Sequence, residues 1–183
     1  MIWFFTPYSF EKKMLAAWQA YMGLVKDDDD WVVMMDGDIA IFQANFGHIV
    51  REYIERYPDT GLFTCYASRS GTGYMMPEKN LMNAHNIMIH HHLSEKLQRE
   101  RYLRAKEIDR RVTGHFMCIK KATWKAISKE VEKECEGLNI LSVDTKISET
   151  ILRRGMKIRL MESLYVLHYY RLKEGAKRKQ MLG

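Results

Sequence analysis

Apolar residues recur along this chain in two alternating rhythms, short unbroken runs of strand length and longer stretches with helical spacing. Residues 2–6 form a first run of aromatic and β-branched side chains, closed by Pro7, Tyr8 and Ser9. Ser9 is suited to cap a helix in which Met14, Leu15, Trp18, Tyr21, Met22 and Val25 recur as far as about Lys26. Residues 31–35 are apolar without a break, the pattern of a strand covered on both faces. Phe46, Ile49, Val50, Tyr53 and Ile54 predict a helix over 45–57, ended by Pro58, Asp59, Thr60 and Gly61. A strand over 62–66 follows, then a loop over 68–80 rich in Ser, Gly and Thr. Residues 81–111 read as mostly helical, with a polar second half.

After Thr113 and Gly114 a strand is predicted over 116–119 and a helix over 122–135, broken by Gly137. Residues 139–143 lead into Asp144, a helix over 145–154 takes Gly155 at its C-cap, and 157–161 and 164–169 read as closing strands. This alternation predicts one α/β domain over 1–175, with a mainly parallel sheet, helices on both faces and ligands at the C-terminal strand edges. Residues 176–183 form a basic tail.

The chain is 46% hydrophobic and 28% charged, which excludes a disordered or fibrous class. No apolar run nears the roughly 20 residues of a bilayer span, and the opening run is too short for a signal-peptide core. Cys65, Cys118 and Cys135 are odd in number and lack CxxC spacing, and Cys65 and Cys118 lie in apolar runs that suit small buried thiols, as expected in a reducing, cytoplasmic setting. The net charge of +6 is concentrated between residues 99 and 111, between 120 and 133, and at the end in Arg171, Lys173, Lys177, Arg178 and Lys179. Solvated helix faces account for most such runs; the tail also suits peripheral contact with an anionic membrane surface at the inner face.

The chemistry concentrates where the strand over 31–35 ends. Asp36 and Asp38 flank Gly37, and two carboxylates there repel one another and lose hydration unless a divalent cation joins them. Oxygen ligands of this kind suit Mg²⁺ or Mn²⁺, whereas the duller alternative is an Asx turn. His90, His91 and His92 point about 100° apart on a helix, so they are read as an exposed face and not as one metal site. Residues 70–74 lack the Lys-Ser/Thr of a phosphate loop and read as a lid or plain loop.

The strand-end Asp-x-Asp, together with Gly114, His115 and the run to Trp124, the stretch from Val143 and Asp144 to Ile158, and Tyr165 to Arg171, resembles the GT-A fold glycosyltransferases, especially inverting ones that use a nucleotide-diphosphate sugar. The resemblance implies a GT-A architecture in which Asp38, Asp36 and His168 hold Mn²⁺ or Mg²⁺, with Asp36 contacting the ribose or a metal-bound water. It implies Asp144 as the catalytic base. Thr6, Pro7, Tyr8, Gly37, Arg171 and Lys173 fall on the donor side, and Gly114 and His115 on the acceptor side. The implied partners are a nucleotide sugar, a UDP-sugar by family frequency, and a glycan, lipid-linked saccharide or protein acceptor. The first helix runs almost directly into the acids 27–30, so the nucleotide half is shorter than the family pattern, and Val143 stands where a Glu is common.

Two rival functions use the same residues differently. A haloacid-dehalogenase-like phosphatase would take Asp36 as nucleophile, Thr64 or Ser68 as the second-motif hydroxyl and Lys120 as the cation, but no late acid pair follows. A nucleic-acid-binding domain would use the basic residues, yet these are interrupted by Glu95, Glu100, Glu107, Glu130 and Glu132.

Overall fold

The structure, a computed structural model, describes residues 1–11, 13–78, 81–82, 84–136 and 143–169. Gly137, the 139–142 stretch, Arg171, Lys173 and the 176–183 tail lie outside the described residues.

The described elements run β1 (Ile2–Phe5), α1 (Met14–Leu24), β2 (Trp31–Met35), β3 (Ile39–Ile41), α2 (Phe46–Arg56), β4 (Thr60–Ala67), a 3₁₀ turn (Gly73–Met75), α3 (Ile87–Arg101), β5 (Ala105–Ile108), β6 (Phe116–Lys120), α4 (Lys121–Cys135), α5 (Val143–Arg153) and β7 (Lys157–His168). The strands form one seven-stranded sheet ordered β1-β2-β6-β4-β7-β3, with β5 also pairing β7. Among the described residues only β1–β2 and β4–β7 are parallel; β2–β6, β4–β6, β3–β7 and β5–β7 are antiparallel. The α/β class stands, and the mainly parallel sheet is corrected to a mixed one. Strand length and apolar content are local properties, whereas direction is set by which distant strand lies alongside.

Both sheet faces are covered. Val32, Met34, Leu62, Met117 and Ile119 pack with Trp18 and Met22 of α1, Leu93 of α3, Trp124 of α4 and Ile147 of α5. Trp31, Val33, Phe63, Phe116 and Cys118 pack with Ile49, Val50 and Tyr53 of α2 on the other face. The unbroken apolar run of β2 therefore serves two cores at once. Truncating Ile119, 0% exposed, to Ala is expected to cost about 2–5 kcal/mol.

Several boundaries differ from expectation. Ser9 accepts the Lys13 N–H and caps a turn ahead of α1, which starts only at Met14. The helix expected over 81–111 is α3 followed by the edge strand β5, whose Lys106 and Glu107 face solvent while Ile108 is buried. The closing strands are one strand, β7, which keeps its pairing to β4 through an irregularity between Cys65 and Tyr66. Gly155, with φ +70°, ends α5 in the left-handed turn its sequence position suggested. Cys65 and Cys118 are buried free thiols, and burial pushes both up. Among the described residues no helix is long and apolar enough to cross a membrane.

Candidate metal centre at the end of β2

The Asp36-Gly37-Asp38 turn joins β2 to β3, and main-chain pairing fixes both of its ends. The Asp36 N–H donates to the His115 carbonyl, one residue before β6. On the other side Ile39 pairs with His168, and the Tyr169 N–H donates to the Asp38 carbonyl at 2.7 Å. The short strand β3, absent from the sequence reading, is thus what brings the C-terminal histidine to the acids. His168 Nε2 lies 3.2 Å from Asp38 Oδ1 and 3.5 Å from Asp36 Oδ2. Its Nδ1–H donates to the Arg69 carbonyl at 2.9 Å, which leaves Nε2 turned toward the carboxylates.

One carboxylate oxygen from each acid and one imidazole nitrogen lie within 4.8 Å of one another. Asp36 is half-buried, Asp38 is exposed and His168 is buried, so the cluster has a fixed floor and an open mouth. Two carboxylates and one imidazole suit Mn²⁺ better than Mg²⁺, which favours oxygen alone. Among the described residues neither Asp36 nor Asp38 has a Lys or Arg within ion-pair distance. Burial pushes the Asp36 carboxyl up, His168 opposes that shift, and Asp38 and Asp144 add to it.

Asp144 belongs to the same constellation. It stands in the first turn of α5, where Oδ1 accepts the Thr145 N–H at 2.7 Å, one of the helix's first-turn amides, while its charge acts on Asp36. Burial raises its carboxyl, opposed by the Thr145 and Gly114 amides. A Cβ at position 114 would stand 3.2 Å from Asp144 Cβ and 3.4 Å from Oδ2, so glycine there permits the close approach. Gly114 and Asp36 also line a small cavity with Pro7, Met14, Trp18, Met34 and Met35.

The remaining expected residues are placed unevenly. Pro7 lines this cavity, and Thr6 lies beside Gly37, its Cγ2 3.3 Å from where a Cβ would stand; Tyr8 is 74% exposed. His115 lies behind the site and not on an open wall: it is buried, Nε2 donates to the Cys65 carbonyl, and Nδ1 is 2.9 Å from Thr113 Oγ1. Burial and neighbouring His168 depress it to about 3, so it is a neutral ring. Arg171 and Lys173 are outside the described residues.

The histidine run is divided by its helix. His90 is buried, correcting the exposed face expected, and both ring nitrogens are bonded: Nδ1 to Tyr165 Oη at 2.6 Å and Nε2 to the Ala84 carbonyl at 3.2 Å. His91 and His92 do approach each other and Glu95, within 4.8 Å, because Glu95 is the i+4 neighbour of His91. The i+4 carboxylate was the signal to weigh there. Arg69, assigned to a loop, is the residue near the site that sequence reasoning missed. An arginine two residues after a strand rich in apolar side chains was the available hint.

Neither a scan against protein-family models nor a search of curated proteins finds a match to this chain.

Proposed function

We propose that this chain is a compact glycosyltransferase of the GT-A type, moving a sugar from a nucleotide-diphosphate sugar to an acceptor hydroxyl with inversion. The observation that carries this reading is the meeting of Asp36, Asp38 and His168, drawn from segments 130 residues apart in sequence, with Asp144 on the far side of Gly114. Asp38 and His168, with Asp36, would hold Mn²⁺ or Mg²⁺. The ion, when bound, supplies charge stabilisation for the departing diphosphate. Asp36 also reaches toward the ribose, and Thr6 and Pro7 border the donor beside Gly37. Asp144 accepts the proton of the attacking hydroxyl. Its raised pKa, nearer neutrality than an ordinary carboxylate, suits a general base.

The phosphatase alternative is weakened by position. Lys120 pairs with Trp31 at the start of β2, roughly 16 Å along the strand from Asp36, and binds Asp29 at 2.5 Å. Thr64 is buried and donates to the Phe116 carbonyl. The nucleic-acid alternative is weakened by charge pairing, since Arg101, Arg104, Arg153, Arg154 and Arg159 all meet acids.

The test is thermal stabilisation by a panel of nucleoside diphosphates with and without Mn²⁺. The expected result is a metal-dependent rise for one nucleotide, lost in Asp38→Asn. Indifference to every nucleotide, with hydrolysis of a generic phosphomonoester that vanishes in Asp36→Asn, would replace the reading with the phosphatase.

A further inference from the structure

Arg69 is 2% exposed two residues beyond β4, and its guanidinium donates to main-chain carbonyls. Nε donates to Met82 at 2.9 Å, Nη2 to Ala84 at 3.1 Å, and Nη1 to His168 at 3.0 Å. In return the Arg69 carbonyl accepts from His168 Nδ1. The two residues are therefore tied twice, side chain to main chain in both directions. Ser68 adds to the tie: its Oγ accepts the His168 N–H at 3.1 Å, and its N–H donates to the Val166 carbonyl.

The network continues away from the site in a fixed sense. The Ala84 carbonyl has no proton to give, so His90 Nε2 donates to it, His90 Nδ1 is an acceptor, and the Tyr165 hydroxyl donates to that nitrogen. Arg69 thus joins three things: the imidazole facing Asp36 and Asp38, the main chain at Met82 and Ala84, and the first turn of α3 through His90.

We propose that Arg69 is a positioning residue that sets the direction and tautomer of His168, holding Nε2 as the unprotonated nitrogen that faces the cation, and that it ties Met82, Ala84 and α3 to the same ligand. This rests on the glycosyltransferase reading only in taking Asp36, Asp38 and His168 as a metal centre. A buried guanidinium suits the task because its planar fork reaches three carbonyls in fixed directions, whereas a lysine ammonium offers one point of attachment on a flexible stem. Partners that orient a metal-ligating histidine generally change metal affinity by about 10–100-fold when removed.

The experiment measures Mn²⁺ affinity by titration calorimetry on the full chain, for wild type, Arg69→Lys, Arg69→Gln and Tyr165→Phe, with folding checked by circular dichroism. Folded Arg69→Lys and Arg69→Gln are expected to bind Mn²⁺ about 10–100-fold more weakly, and Tyr165→Phe to show a smaller loss in the same direction. In the metal-free variants the His168 proton, read by long-range ¹H–¹⁵N NMR, should no longer be held on Nδ1, a change that a general loosening elsewhere in the fold would not produce. Folded Arg69 variants with wild-type Mn²⁺ affinity would overturn the inference and leave the metal centre standing; a wild type that binds no Mn²⁺ would overturn the centre itself and this inference with it. Should the Arg69 variants not fold, the wild type decides through long-range ¹H–¹⁵N NMR of His168 with diamagnetic Cd²⁺ in place of Mn²⁺. A proton on Nδ1 and none on Nε2 supports the assignment, and the reverse overturns it.

Discussion

Strand β2 carries acids at both ends, and the two ends are treated in opposite ways. At its start Asp30 receives the Met1 ammonium and the Trp3 Nε1–H at 2.8 Å, Asp29 meets Lys120 at 2.5 Å, and Asp28 meets Lys125 at 2.6 Å. The N-terminal ammonium, with Trp3, holds the Asp30 carboxyl below its usual range. At the other end Asp36 and Asp38 meet only one imidazole among the described residues, and both Asp36 and Asp144 are pushed up. A carboxylate compensated by the chain's own cations is structure. Carboxylates left short of positive charge are, on the proposed reading, the ones that would take a cation from outside.

The largest expected consequence concerns activity. Asp144→Asn is expected to slow transfer by about 10²–10⁴-fold while leaving Mn²⁺ binding intact, and Asp30→Asn to leave the rate near wild type. Side-by-side rate measurements on the two variants check this, and equal losses would erase the contrast. Next, Mn²⁺ at about 100 times its dissociation constant is expected to stabilise the protein by ~2.7 kcal/mol, a melting rise of roughly 5–11 °C, absent in Asp38→Asn. Differential scanning fluorimetry reads it directly.

The third consequence is a difference of sign with pH. Asp144 has a folded pKa above its ordinary 3.8, so its contribution is favourable below 3.8 and lost as pH rises through the folded value. Asn at 144 is therefore expected to raise the melting temperature at pH 7 relative to wild type, an advantage that fades in acid. Asp30, held below 3.8, contributes above 3.8 and loses that contribution as pH falls through its folded value, so Asp30→Asn is expected to lower melting at pH 7 and not in strong acid. Melting curves for both variants between pH 3 and 7 test the opposition. The smallest effect belongs to the exposed Asp28–Lys125 pair, where Lys125→Ala is expected to lower melting by no more than about 4 °C and leave Mn²⁺ affinity unchanged.

The legibility of the sequence follows the range of the interactions involved. β1, β2, β6, α2 and α4 were readable because each declares itself through neighbouring residues: an unbroken apolar run, or a stripe such as Ile49, Val50 and Tyr53. β3 has only three half-buried residues and β5 only one buried residue in four, too few for either rhythm to register. Asp36 and Asp38 stood out through local spacing. The fixing of His168 by Arg69 did not, since 99 residues separate the partners and the bonds run through main-chain carbonyls that carry no sequence signal.

The sequence by itself determined the alternation of strands and helices, the two buried faces of β2 and the pair of acids at its end, because periodicity and spacing are properties of a few consecutive residues. Only the tertiary structure decided that the sheet is mixed, that three residues of β3 bring His168 to Asp38, and that Gly114 lets Asp144 approach. Those depend on which distant strand lies alongside and on contacts of 3–4 Å between segments that the chain's order keeps far apart.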